Sequence, residues 1–189
     1  MSDALILDSL RRRMRALFSL WEDATSTMDL DHVNHREREG VLPIAFSWFH
    51  YINMIDGSFM MLSGEAPTFN DEWAERISPA INDHGKHRTP EEMQHQQIGD
   101  YAAMVEYQTT VFRRIESWLE TLSPDELHRV VITRPFPPQI ASTFSARVAG
   151  ETGLTVLDGT ECWIYQHGLR HMGEIELARS FVGLNGMTS

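Results

Sequence analysis

Residues 158–186 read DGTECWIYQHGLRHMGEIELARSFVGLNG. Within them Ile164, His167, Gly168, His171, Ile175, Ala178 and Val182 recur at steps of three and four, the spacing that gathers side chains on one face of an α-helix. The stretch reads as a helix with an apolar, core-facing stripe that carries both histidines. Asp158-Gly159-Thr160-Glu161 has the form of a capping box opening it, and Gly183, Asn185 and Gly186 mark its end. Two imidazoles one turn apart on a buried face each need a polar partner. A shared divalent cation, about 2.0–2.1 Å from each nitrogen, satisfies both and uses neutral imidazole, the commonest metal ligand. His167 and His171 are therefore read as metal ligands in preference to hydrogen-bonded core histidines.

Three further segments share the helical period. Leu7, Leu10, Met14, Leu17, Phe18 and Trp21 predict a helix over about 3–25. Ile44, Ala45, Trp48, Phe49, Ile52, Ile55 and Phe59 predict a second over about 43–62, with Pro43 in its first turn and a deeply buried circumference. Its polar residues Ser47, His50, Asn53 and Asp56 step by three, a narrow seam that is either exposed to solvent or lines an internal polar site. Thr89-Pro90-Glu91-Glu92 is a capping box that predicts the start of a third helix, with Ile98, Tyr101, Val105, Phe112, Ile115, Leu119 and Leu122 as its stripe. It ends before a second cap-like run, Ser123-Pro124-Asp125-Glu126.

Residues 28–40 read as a connector, and 63–87 as a long loop with one brief helix near Trp73 to Ile77. Between Leu127 and Leu157 the period disappears: Val130, Val131 and Ile132 favour extended structure, three prolines break any helix, and Phe144, Ala146 and Val148 alternate. The expected fold class is all-α, a single domain over 1–189. Its form is a four-helix bundle with long connections and a small extended or hairpin segment between the third and fourth helices.

A hydrophobic content of 42% supports a substantial core in one domain. The formal charge of -11 supplies no basic field for nucleic acid, and the Arg11-Arg12-Arg13 run reads as a solvated helix face. No segment approaches the roughly 18 apolar residues a membrane span needs, and no targeting segment is recognised. The single Cys162 excludes an intramolecular disulfide and makes cytoplasm the expected location; it reads as packing, not as a nucleophile.

A catalytic ion needs a third protein ligand and an open position. His50 is preferred, because it interrupts an otherwise apolar helix that must share the core with the fourth. His32 with His35, and His84 with His87, have ligand-like spacing but lie in polar, irregular sequence. His95 and His128 carry no further signal. Gln108 breaks the third helix's stripe, either beside the site or as a structural amide.

With His50 in SWFHYINMIDGSF, and His167, His171, Gly173 and Ile175 in HGLRHMGEI, the sequence resembles the DinB-like metalloprotein superfamily. Those proteins are four-helix bundles with a histidine late in the second helix and an H-x-x-x-H-x-G-Q-I pattern on the fourth. Glu174 departs from the pattern by replacing the usual glutamine, at a position that reads as packing or as lying behind the ligands, where a carboxylate can orient a histidine or change the charge around the ion. The resemblance implies that His50, His167 and His171 hold zinc, nickel or a similar ion, with water completing the shell. It also implies a small-molecule substrate, with metal-dependent thiol transfer using a low-molecular-weight thiol, or hydrolysis, as the activity; a homodimer through apolar helix faces is a separate expectation. The competing expectation is a non-catalytic metal-binding homodimeric bundle with a stress-related role.

Overall fold

In the computed structural model, which describes residues 2–186, the chain is mostly helical with a small two-stranded antiparallel sheet. Four helices among the described residues exceed ten residues: α1 (Asp3–Ser26), α2 (Ile44–Ser63), α3 (Tyr101–Thr121) and α4 (His167–Phe181). The apolar stripe of α1 is buried throughout, from Leu7 to Trp21. Its Phe18 stacks on Phe112 of α3 with ring centroids 4.0 Å apart, and its Trp21 on Tyr51 of α2 at 4.6 Å. Helix α2 also packs against α3 and, most extensively, against α4. Trp48, Phe49, Tyr51, Ile52, Ile55 and Phe59 of α2 are all buried, each stabilising the fold by roughly 1.5–3 kcal/mol relative to an exposed side chain. No described helix is long and apolar enough to cross a membrane.

Helix α2 begins one residue later than the spacing suggests, with Pro43 as the N-cap, and it stops at Gly64, whose φ of 81° is left-handed. The polar seam of this helix faces inward. Ser47 and Asp56 are buried, and the Asp56 carboxylate accepts from the Thr68 and Phe69 amides at 2.9 and 2.8 Å and from the Tyr107 hydroxyl at 3.1 Å. It thus ties the loop after α2 to α3. Gln108 proves to be a structural amide: its Oε1 accepts from the Trp48 indole at 2.6 Å, and its Nε2 donates to Thr25 at 3.3 Å.

Several boundaries differ from the sequence expectation. The capping box at Thr89 and Glu92 forms, but it opens a single turn, Pro90–Met93. The chain then bends because Gln96 pairs with both backbone groups of Ile81 and Asn34 with both of Ile98; α3 starts afresh at Asp100, whose carboxylate caps Ala103. Ile98 consequently lies before the helix. The connector over 28–40 contains a short helix, Leu30–Asn34, capped by Asp29. The brief helix in the long loop is Asp71–Ile77.

After α3 the Ser123 box opens a 3-10 helix, Pro124–His128, followed by β1 (Val130–Thr133). This strand pairs antiparallel with β2 (Gly153–Thr155) across an irregularity between Val130 and Ile132. The segment between them is not extended: Pro138–Ala141 and Ser145–Val148 are single helical turns, so the alternation of Phe144, Ala146 and Val148 does not mark a strand. The last helical rod is capped earlier than expected, by a box between Thr155 and Asp158. It runs through Val156–Gly159 and a π-helical stretch, Thr160–Gln166, directly into α4.

Candidate metal centre

The π-helical stretch ends where the histidine pair begins. Wide turns of this kind occur mostly as local insertions in α-helices, often at functional sites. His167 and His171 then lie on the buried face of α4, 9% and 7% exposed, against α2. Gly168 permits this approach: a Cβ there would sit 2.5 Å from the Tyr51 hydroxyl and 2.6 Å from Leu17 Cδ2. His50, one turn before Met54 on α2, completes the group. Its ring lies 4.8 Å from that of His171 and 5.3 Å from that of His167.

The three histidines form a group that could hold a metal ion, each offering one nitrogen within 4.8 Å of the others. The Nε2 atoms of His167 and His171 are 2.9 Å apart. Two ligands at 2.0–2.1 Å from one tetrahedral ion would be about 3.3 Å apart, within that span. The hydrogen bonds on the far side of each ring fix its chemistry. His171 Nδ1 donates to Glu174 Oε2 at 2.7 Å, and the same oxygen accepts from the Ser47 hydroxyl at 2.8 Å. His50 Nδ1 donates to the backbone carbonyl of His84. His167, whose Nε2 faces His171, is left with Nδ1 for the Trp163 carbonyl.

Oxygen acceptors thus place the proton of each neutral imidazole on Nδ1 and leave three Nε2 lone pairs converging. At 2.9 Å two such lone pairs repel unless a cation or a proton lies between them. This is the donor arrangement a divalent ion requires, with each ligand oriented by an outer partner. Burial disfavours the charged rings and holds His50 down to about 4 and His167 down to about 2, and the neighbouring histidines push both the same way. Burial pushes the Glu174 carboxyl up, but its bonds to His171 and Ser47 and the nearby Arg170 hold it below its ordinary value, so it stays ionised.

The other candidates fall elsewhere. Burial raises the Cys162 thiol to about 11, which suits a packing role. His32 pairs with Asp29 at 2.8 Å, His35 with Glu37 at 3.3 Å and His128 with Asp3 at 3.0 Å, none within the cluster. His84 enters through its carbonyl and not its ring, a contribution that side-chain identity cannot signal. Ser47 was visible only as part of the polar seam.

No family model matches the sequence, and no curated protein matches it. Among solved structures it is similar to a conserved protein from Enterococcus faecalis, known by its crystal structure, with a TM-score of 0.73. The two share a fold. The match spans 96% of this chain and 98% of the other at 16% identity, so it speaks to architecture and not to chemistry.

Proposed function

We propose that the chain is a single-domain, DinB-like four-helix metalloprotein whose His50, His167 and His171 bind zinc or nickel, and that it is a metal-dependent enzyme. The observation that carries this reading is that His50, His167 and His171 each bring a ring nitrogen within 4.8 Å of the others, while the Nδ1 atoms of His50 and His171 bond to oxygens on the far side. The resemblance in the last helix agrees with it. Among the described residues no fourth His, Cys, Asp or Glu joins the group, and three ligands with an open position are the pattern of catalytic ions.

An ion held there would supply Lewis acidity that favours the deprotonated form of a thiol or a water at neutral pH. The protein's own part is to fix the three rings, to hold Glu174 as an anion behind His171, and to exclude solvent with Tyr51, which is fully buried beside His167. On this reading the reaction is thiol transfer from a low-molecular-weight thiol to a small electrophile, with hydrolysis as its mechanistic neighbour. The connection 127–157 reaches α4 through Phe144, whose ring centroid lies 5.7 Å from the Arg170 guanidinium next to His171, and on this reading it selects the substrate.

The test is a screen of the zinc- and nickel-loaded protein with thiols plus electrophiles, beside ester and amide substrates. Turnover that disappears in His171→Ala is expected. No turnover in either set would favour a second reading, a non-catalytic metal-bearing homodimer. That reading draws on Leu169, Leu177 and Phe181, which are 45%, 62% and 46% exposed on the metal-bearing helix.

A further inference from the structure

We propose that residues 83–88 form a clasp that orients the His50 ring for cation binding, an inference that rests on the metal reading above. The outer partners of the other two histidines travel with their own helix: Trp163 lies four residues before His167, and Glu174 three after His171. Helix α2 provides no such partner for His50. Ser47, one turn back, donates to Glu174, and Asn53, almost one turn ahead, bonds to Tyr107. The Nδ1 acceptor comes instead from the carbonyl of His84, 34 residues along the chain.

The loop is shaped to present that carbonyl. Asp83 accepts from the Gly85 amide at 2.7 Å and from Arg88 Nε and Nη2 at 3.1 and 2.5 Å. The Arg88 amide donates to the Gly85 carbonyl at 2.9 Å, and the Lys86 amide to His84 Nδ1 at 3.1 Å. Gly85, with φ 73°, rests on Phe46: a Cβ there would lie 2.7 Å from Phe46 Cε2. Phe46 in turn stacks on His50, centroid to centroid 5.4 Å, one turn along α2. A side chain at position 85 collides with the Phe46 ring on which His50 stacks, and relief of that contact by the loop draws the His84 carbonyl away from His50. The ring then loses the acceptor that keeps its proton on Nδ1 and its Nε2 free.

Loss of an outer partner typically weakens metal binding 10–100-fold, whereas a largely exposed ion pair such as Asp83–Arg88 contributes less than about fivefold. Gly85→Val should therefore lower zinc affinity by about 10–100-fold and Asp83→Ala by less than about fivefold, measured by competition with a chromophoric chelator. Gly40→Val is the control: it carries the same left-handed strain, φ 78°, with no neighbour within 4 Å, and should bind zinc as wild type does. Imidazole NMR of the metal-free proteins should show His50 as the Nδ1–H tautomer in wild type and in Gly40→Val, and as a mixture in Gly85→Val. Tight zinc binding by wild type and equal binding by Gly85→Val would overturn the clasp and leave the metal site standing. An unchanged His50 tautomer in Gly85→Val would also overturn it, and no zinc bound by wild type would overturn both readings.

Discussion

Replacing Gly168 with alanine tests how closely α4 must approach α2. A β-carbon at this position would meet the Tyr51 hydroxyl at 2.5 Å, Leu17 Cδ2 at 2.6 Å and Tyr51 Cζ at 2.7 Å. Tyr51 is a fully buried ring stacked on Trp21, so it has little room to yield. Overpacking of this kind costs about 1–3 kcal/mol, and these contacts place it toward the upper end. Against it stands the helix preference of alanine over glycine, about 1 kcal/mol. The net expectation is a destabilisation of about 1–2 kcal/mol, or roughly 2–8 °C in Tm for a chain of this size. Gly173→Ala is the internal control. It lies on the exposed side of the same helix with nothing within 4 Å, so the propensity gain acts alone and should stabilise by roughly 0.5–1 kcal/mol. Urea unfolding of the two metal-free variants should thus give shifts of opposite sign. A Gly168→Ala variant as stable as Gly173→Ala would refute the close packing from which the placement of the histidines is argued.

Acid should weaken the metal-free fold. His50 and His167 are held at about 4 and about 2, below the ordinary 6.5, so the unfolded chain takes up protons the fold refuses. Their contribution is fully present above pH 6.5 and is lost as pH falls toward 4 for His50 and further still for His167. Between pH 7 and pH 5 urea unfolding should lose about 2 kcal/mol per ring, and an unchanged stability would contradict the burial of the neutral imidazoles. Glu174→Ala should weaken zinc binding about 10–100-fold by removing the acceptor of His171 Nδ1, and Glu174→Gln less, since its amide oxygen can still accept; chelator competition that ranks the two in reverse order would exclude this role.

The parts legible in the sequence were those written in side-chain periodicity. The stripe through Ile164, His167, His171 and Ile175 located α4 and its inward histidines, and the three-residue step of Ser47, His50, Asn53 and Asp56 pointed to a polar seam that the structure turns inward. The Thr89 and Ser123 capping boxes form but open only single short turns, and the box expected from Asp158 to Glu161 is replaced by one between Thr155 and Asp158. The Thr89 box serves a single turn, because the side-chain bonds of Gln96 and Asn34 bend the following chain, and a box records only its own four residues. The outer shell divides in the same way. Glu174 was visible as a departure at a telling position, whereas the Trp163 and His84 carbonyls belong to every sequence alike and are selected only by the π-helical stretch and by a loop folded against Phe46.

On the function proposed above, His50, His167 and His171 jointly hold one divalent ion. Elemental analysis of the purified protein after zinc or nickel loading and exhaustive dialysis addresses it directly, alongside His50→Ala and His171→Ala variants verified as folded by circular dichroism. One ion per chain is expected in the wild type, with near-complete loss in both variants. A folded wild type that retains no metal, or a His50→Ala variant that keeps its full complement, would contradict it.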